Sequence, residues 1–190
     1  DGGDLHSYET IQAMVETLAD GALEEPKTAK EFIARIHAEI ERMNNIVADL
    51  LDLSELDNDE QKLELASLDM VPLIRQSIHS IEIQASTKRI SVVEDLPEGL
   101  PQVLGQQSKL RQVLDNLLDN AVKFTPPKGI IKVSAYPYGE TVRTAIEDNG
   151  IGIPEDAQSH VFERFFRADS SRSYKGTGLG LAIVKHIIQA

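Results

Sequence analysis

The 190-residue chain has no cysteine and no tryptophan, and only 5% of its residues are aromatic. Without cysteine no disulfide framework is possible, which fits a reducing compartment. No run approaches the ~20 continuous apolar residues that span a bilayer, and the N-terminus has no signal-peptide pattern. The expected setting is cytoplasmic, with any membrane anchor of a longer protein outside this chain. Cations are also scarce, 19 Lys and Arg against 31 Asp and Glu, for a net charge of −12. The deficit is local, because residues 1–70 carry −13 and residues 71–190 carry +1. The acidic first part would repel nucleic-acid phosphates, which argues against a nucleic-acid partner. The balanced second part has basic groups available for a small anionic ligand, so the two parts have different tasks.

What is present begins with helical periodicity. Ile33, Ile36, Ile40, Met43, Val47 and Leu50 are spaced 3-4-3-4-3 within a helix expected from Phe32 to Leu53. Ile46, Leu51 and Leu53 widen this stripe beyond a two-stranded seam, which favours four helices. A shorter helix, Tyr8 to Ala19, shows Ile11, Met14, Val15 and Leu18 on one face. Asp20-Gly21 and Glu24-Glu25-Pro26 supply the turn between them. A lone hairpin cannot bury such a seam, so two copies joined as a homodimeric four-helix bundle are expected.

A polar stretch, Ser54 to Ser67, follows. Asp69 is the expected N-cap of a helix from Met70 to about Thr87. β-type runs stand at Ile90–Val93, Ile130–Ala135 and Val142–Glu147, with a helix over Ser108–Phe124 that Pro126-Pro127 stops. Mixed strands and helices of this length predict an α/β sandwich.

On the Ser108–Phe124 helix, Leu110, Val113, Leu114, Leu117, Leu118 and Ala121 form the core face. Asn116, Asn120 and Lys123 cluster within roughly 60° of one another, away from its centre. Amide oxygens suit a hard cation such as Mg²⁺, and an ammonium suits phosphate. By itself this trio reads as a solvated polar face. Downstream, Asp148-Asn149-Gly150-Ile151-Gly152 places a carboxylate at a strand end beside two glycines, able to accept from an amino group such as that of adenine. Gly176-Thr177-Gly178-Leu179-Gly180-Leu181 is a second glycine turn opening an apolar helix, whose free N–H groups suit phosphate. It lacks the G-x-x-x-x-G-K-[ST] pattern and a preceding strand, which excludes the P-loop and dinucleotide-binding readings.

These segments resemble the boxes of sensor histidine kinases. Asn116 to Thr125 is similar to the N box, Asp148 to Pro154 to the first glycine box, Phe162-Glu163-Arg164-Phe165-Phe166-Arg167 to the F box, and Gly176 to Leu181 to the second glycine box. All four stand in family order. The resemblance implies an α+β chain: a dimeric helical-hairpin phosphotransfer domain over residues 1–60, a linker or hinge over 61–69, and an ATP-binding sandwich of the GHKL (Bergerat) type over 70–190. It implies that Asn120, with Asn116 near it, coordinates Mg²⁺, that Lys123 contacts phosphate, and that Phe124 lines the nucleotide site. It further implies that Asp148 selects adenine with Gly150, Gly152 and Ile153. Phe165 and the turn Gly176, Thr177, Gly178, Leu179 and Gly180 would bracket a mobile lid over residues 168–175.

The chain departs from the family pattern in two places. No H box is legible: His6 is the histidine nearest the expected place, but no acid follows it and no proline stands five positions on. His37, His79 and His186 read as ordinary helix positions. The chain also stops at Ala190, before the last sheet segment such domains usually have. The implied activity is ATP-dependent transfer of a γ-phosphoryl group to a hairpin histidine, with His6 the candidate, for relay to a response-regulator receiver domain. The alternative is a dimeric ATP-binding regulator that has lost its acceptor.

Overall fold

The computed structural model describes residues 2–20, 25–57, 65–168 and 176–190. It divides into two compact units, Asp1–Ser54 and Glu55–Ala190. The first holds α1 (Gly2–Ala19) and all but the last three residues of α2 (Pro26–Asp57). α2 is longer than expected because Pro26 suits the first helical position, where its fixed φ is helical and its missing N–H is not needed. The expected turn falls mostly on residues 21–24, outside the described residues. Leu18, Ala29 and Ile46 are buried, whereas the heptad residues Ile33, Ile40, Val47 and Leu50 are exposed. The stripe is wider than these two helices cover.

The second unit runs β1 (Ala66–Leu68), α3 (Met70–Lys88), β2 (Ser91–Asp95), β3 (Val103–Gly105), α4 (Gln107–Phe124), β4 (Ile130–Tyr138), β5 (Thr141–Asp148), α5 (Glu155–Gln158) and α6 (Gly180–Gln189). One sheet has the order β2-β4-β5, with β2 parallel and β5 antiparallel to β4. β1 and β3 pair antiparallel as a separate ribbon, Ala66 opposite Gly105 and Leu68 opposite Val103. Within the expected linker 61–69, residues 66–68 form β1 of this ribbon and pair with residues 35 or more positions away. Residues 58–64 lie outside the described residues.

Alternation along β4 turns Ile131, Val133 and Ala135 inward, where they meet Leu73, Ile74, Ile78 and Ile81 of α3 and Leu114, Leu118, Ala121 and Val122 of α4. Helices on one face of a mixed sheet form the expected sandwich. Asp69 caps α3 as its sequence position suggests, accepting from Val71 N–H at 2.9 Å. α6 packs along α4 through Ala182, Ile183 and Val184. Those two helices fix the floor and one wall of the site.

Candidate functional site: one helix and two glycine turns

Asn116, Asn120, Lys123 and Phe124 all lie on α4, each half-buried, beside the fully covered Leu118. The two glycine turns approach this face. Gly180 sits so close to Asn116 that a Cβ there would lie 3.0 Å from Asn116 Oδ1. The ammonium of Lys123 occupies the space a Cβ on Gly176 would need. The second turn is therefore laid on the polar face of α4, where a larger residue at either glycine would push the Lys123 or Asn116 side chain aside.

The first glycine turn is tied to the end of α4. Ile151 N–H donates to the Phe124 carbonyl at 3.2 Å. A Cβ on Gly150 would lie 2.5 Å from that same oxygen. Gly150 N–H donates to Asp148 Oδ1 at 2.8 Å, so one carboxylate oxygen is committed to the turn while the exposed side chain offers the other. Asn149 anchors the opposite side, its Oδ1 accepting from Ile130 N–H at 2.8 Å. Gly152 has φ +69, a left-handed conformation that glycine adopts without penalty, and Ile153 follows it half exposed.

The F segment meets the second turn through backbone. Phe165 N–H donates to Gly178 O at 3.0 Å, and a Cβ on Gly178 would strike the Phe165 and Phe166 backbone within 3.0 Å. Phe165 itself has φ +64, a strained value for an aromatic residue. Both ends of the expected lid are thus joined at its base, although its residues 169–175 lie outside the described residues. Leu179 N–H donates to Thr177 Oγ1 at 3.2 Å, shaping the turn into α6. The N-cap residue of α6, Leu179, makes no side-chain cap hydrogen bond, and the first residue of the helix, Gly180, abuts Asn116.

Lys123 carries the electrostatics. Its ammonium lies 4.7 Å from the centre of the Phe124 ring. Withdrawal from water, and then the nearby charge of Arg167, hold its pKa below the ordinary lysine value, with Asp119 offsetting part of the effect. A partly desolvated cation near a second cation is a place for a polyanion.

The structure describes every sequence-predicted residue of the nucleotide site except the lid interior. His6 falls within α1, but its side chain is outside the described residues. His37 and His79 face Glu41 and Glu82 on their own helices. Asn149, which the sequence offers only as part of a turn, holds that turn through the Ile130 N–H.

Residues 9–59 match the His Kinase A (phospho-acceptor) domain, a match that begins C-terminal to His6. Residues 105–190 match the histidine kinase-, DNA gyrase B- and HSP90-like ATPase. The chain is 34% identical over 187 residues to the sensor-like histidine kinase SenX3 of Mycolicibacterium smegmatis, covering 96% of this chain and 48% of that protein. It thus spans about half the length of that curated relative. Among solved structures, the mycobacterial sensor histidine kinase MprB has a TM-score of 0.57 at 35% identity, covering 67% of this chain and 79% of that one. Full-length ShkA in complex with AMPPNP gives 0.71 at 28% identity, covering 97% and 39%. ThkA in complex with the response regulator TrrA gives 0.72 at 25% identity, covering 86% and 48%. The two domain matches and the identity to SenX3 and MprB place the chain in the family of two-component sensor histidine kinases.

Proposed function

We propose that this chain is an ATP-dependent protein histidine kinase core. The observation that carries the proposal is the convergence of Gly176 on Lys123 and of Gly180 on Asn116, which brings an ammonium, an amide oxygen and the start of α6 to one place. A triphosphate there would meet Lys123 and the α6 N–H groups, while the free oxygen of Asp148 would accept from the adenine amine and the first turn would flank the base. Asn120, with Asn116 beside it, would hold Mg²⁺. Two amide oxygens are hard, neutral donors that leave the rest of its shell to phosphate oxygens and water. Bound there, the ion would supply neutralisation of phosphate charge.

In the transfer, an imidazole nitrogen of the acceptor histidine bonds to Pγ as the bond from Pγ to the β–γ bridging oxygen breaks. The electron pair leaves with ADP, and the ring loses its N–H proton to solvent. An aspartate carboxylate of a receiver domain then takes the phosphoryl group, as the assembly of ThkA with a response regulator suggests by analogy. We place the acceptor on the first unit, with His6 the candidate, and dimerisation on the exposed heptad face. We divide the chain into a phosphotransfer domain ending near residue 60 and an ATP-binding domain that includes β1. No described helix is long and apolar enough to cross a membrane, and we place the chain on the cytoplasmic side.

Incubation with γ-labelled ATP and Mg²⁺ tests this reading. The expected product is acid-labile label on the chain, lost in Asn120→Ala and, if His6 is the acceptor, in His6→Gln. Nucleotide binding without label would support the regulatory module instead.

A further inference from the structure

Lys88 is the last residue of α3, far in sequence from every box of the site. Its ammonium donates three hydrogen bonds to the end of α4: to the carbonyls of Val122 at 2.7 Å, Lys123 at 2.9 Å and Thr125 at 3.1 Å. An ammonium has three donors, and here all three converge on one helix terminus. The last carbonyls of a helix lack partners within it, and a cation there also meets the negative end of the helix dipole.

The backbone at Lys88 grips the same segment from its other side. Lys128 N–H donates to the Lys88 carbonyl at 3.0 Å, and Ser91 N–H donates to Gly129 O at 2.9 Å. Arg89, in the left-handed region at φ +56, turns the chain so that both contacts form. Residues 122–129 are therefore held between the side chain and the backbone of the end of α3. That segment includes Phe124, whose carbonyl receives Ile151 N–H and abuts Gly150, and it carries Lys123.

We infer that Lys88 is a positioning residue for the nucleotide site: by fixing the end of α4 it sets Lys123, and it sets the first glycine turn through the Phe124 carbonyl. This rests on the reading of that site as one for Mg·ATP. The ammonium of Lys88 bonds to the end of α4 and the residue after it, so it acts on the site through α4. A lysine that merely closed a helix would support stability and leave the turn alone.

The 190-residue chain with Lys88→Met, which keeps most of the stem and removes the donors, separates the two roles. Expected are an ATP dissociation constant in Mg²⁺ raised about tenfold, in line with the loss of a supporting hydrogen-bonded group behind a ligand site. The Ile151 amide should exchange faster with solvent while that of Val133, in the sheet core, is unchanged. Lys88→Arg, which restores charge and several donors, should recover most of the affinity. A lowered melting temperature with unchanged ATP affinity and unchanged Ile151 protection overturns the inference. If Lys88→Met does not fold, Lys88→Gln is measured in the same way and judged by the same outcomes. A wild-type chain that binds no ATP contradicts the functional reading alone, and exchange at Ile151 then decides the role of Lys88.

Discussion

At Lys123, electrostatics connects to a measurable proton. Desolvation, and secondarily Arg167, lower its pKa below the ordinary value of 10.5. The folded chain therefore gives up this proton at a lower pH than the unfolded chain does. Through that alkaline window the unfolded state binds more protons, so the charged lysine weakens the fold at neutral pH and the penalty fades as pH rises toward 10.5. A polyphosphate reverses the balance, because an anion beside the ammonium favours its charged form. ATP binding just below pH 10.5 should take up a proton, read as a dependence of binding heat on buffer ionisation enthalpy. Lys123→Met should abolish the uptake, and a wild-type chain without any uptake would show that phosphate does not reach Lys123. The residue types of this site were legible because amides, lysine, aspartate and glycine stood in a recognisable order. Their division of labour was not. That Asp148 spends one oxygen on Gly150, while Asn149 holds Ile130, depends on backbone positions no sequence pattern encodes.

At the scale of elements, α3 shows how far local chemistry reaches. Asp69 caps its start as its place before Met70 predicts, and Asp69→Ala should cost about 1 kcal/mol in urea-induced unfolding of the second unit. A cost near zero would show that the cap is replaced by water. The end of the same helix was illegible, because Lys88 finds its partners 34 to 37 residues away in α4 and its loop. The same distinction explains the strands. β4 and β5 were found from their apolar runs, whereas β1 and β3, three residues each, exist through pairing across the chain and have no period long enough to read. α5 is a single turn, likewise too short to show a period in the sequence.

At the scale of the whole molecule, the exposed apolar face of α2 bears on assembly. Ile33 and Val47 are each 55% exposed at heptad positions that would be buried in a bundle. Ile40→Asp, on the same face, should shift the chain from dimer to monomer in light scattering and leave ATP affinity of the second unit unchanged. A dimer that survives this change would place the interface elsewhere.

In the proposed function, α4 and the two glycine turns form one Mg·ATP site. Calorimetric titration of the chain with ATP, in Mg²⁺ and in chelator, tests it directly. Predicted are saturable binding that requires Mg²⁺ for full affinity and a loss of about tenfold or more in Asn120→Ala. Binding that is absent, or equally strong without Mg²⁺ and in the variant, would contradict it.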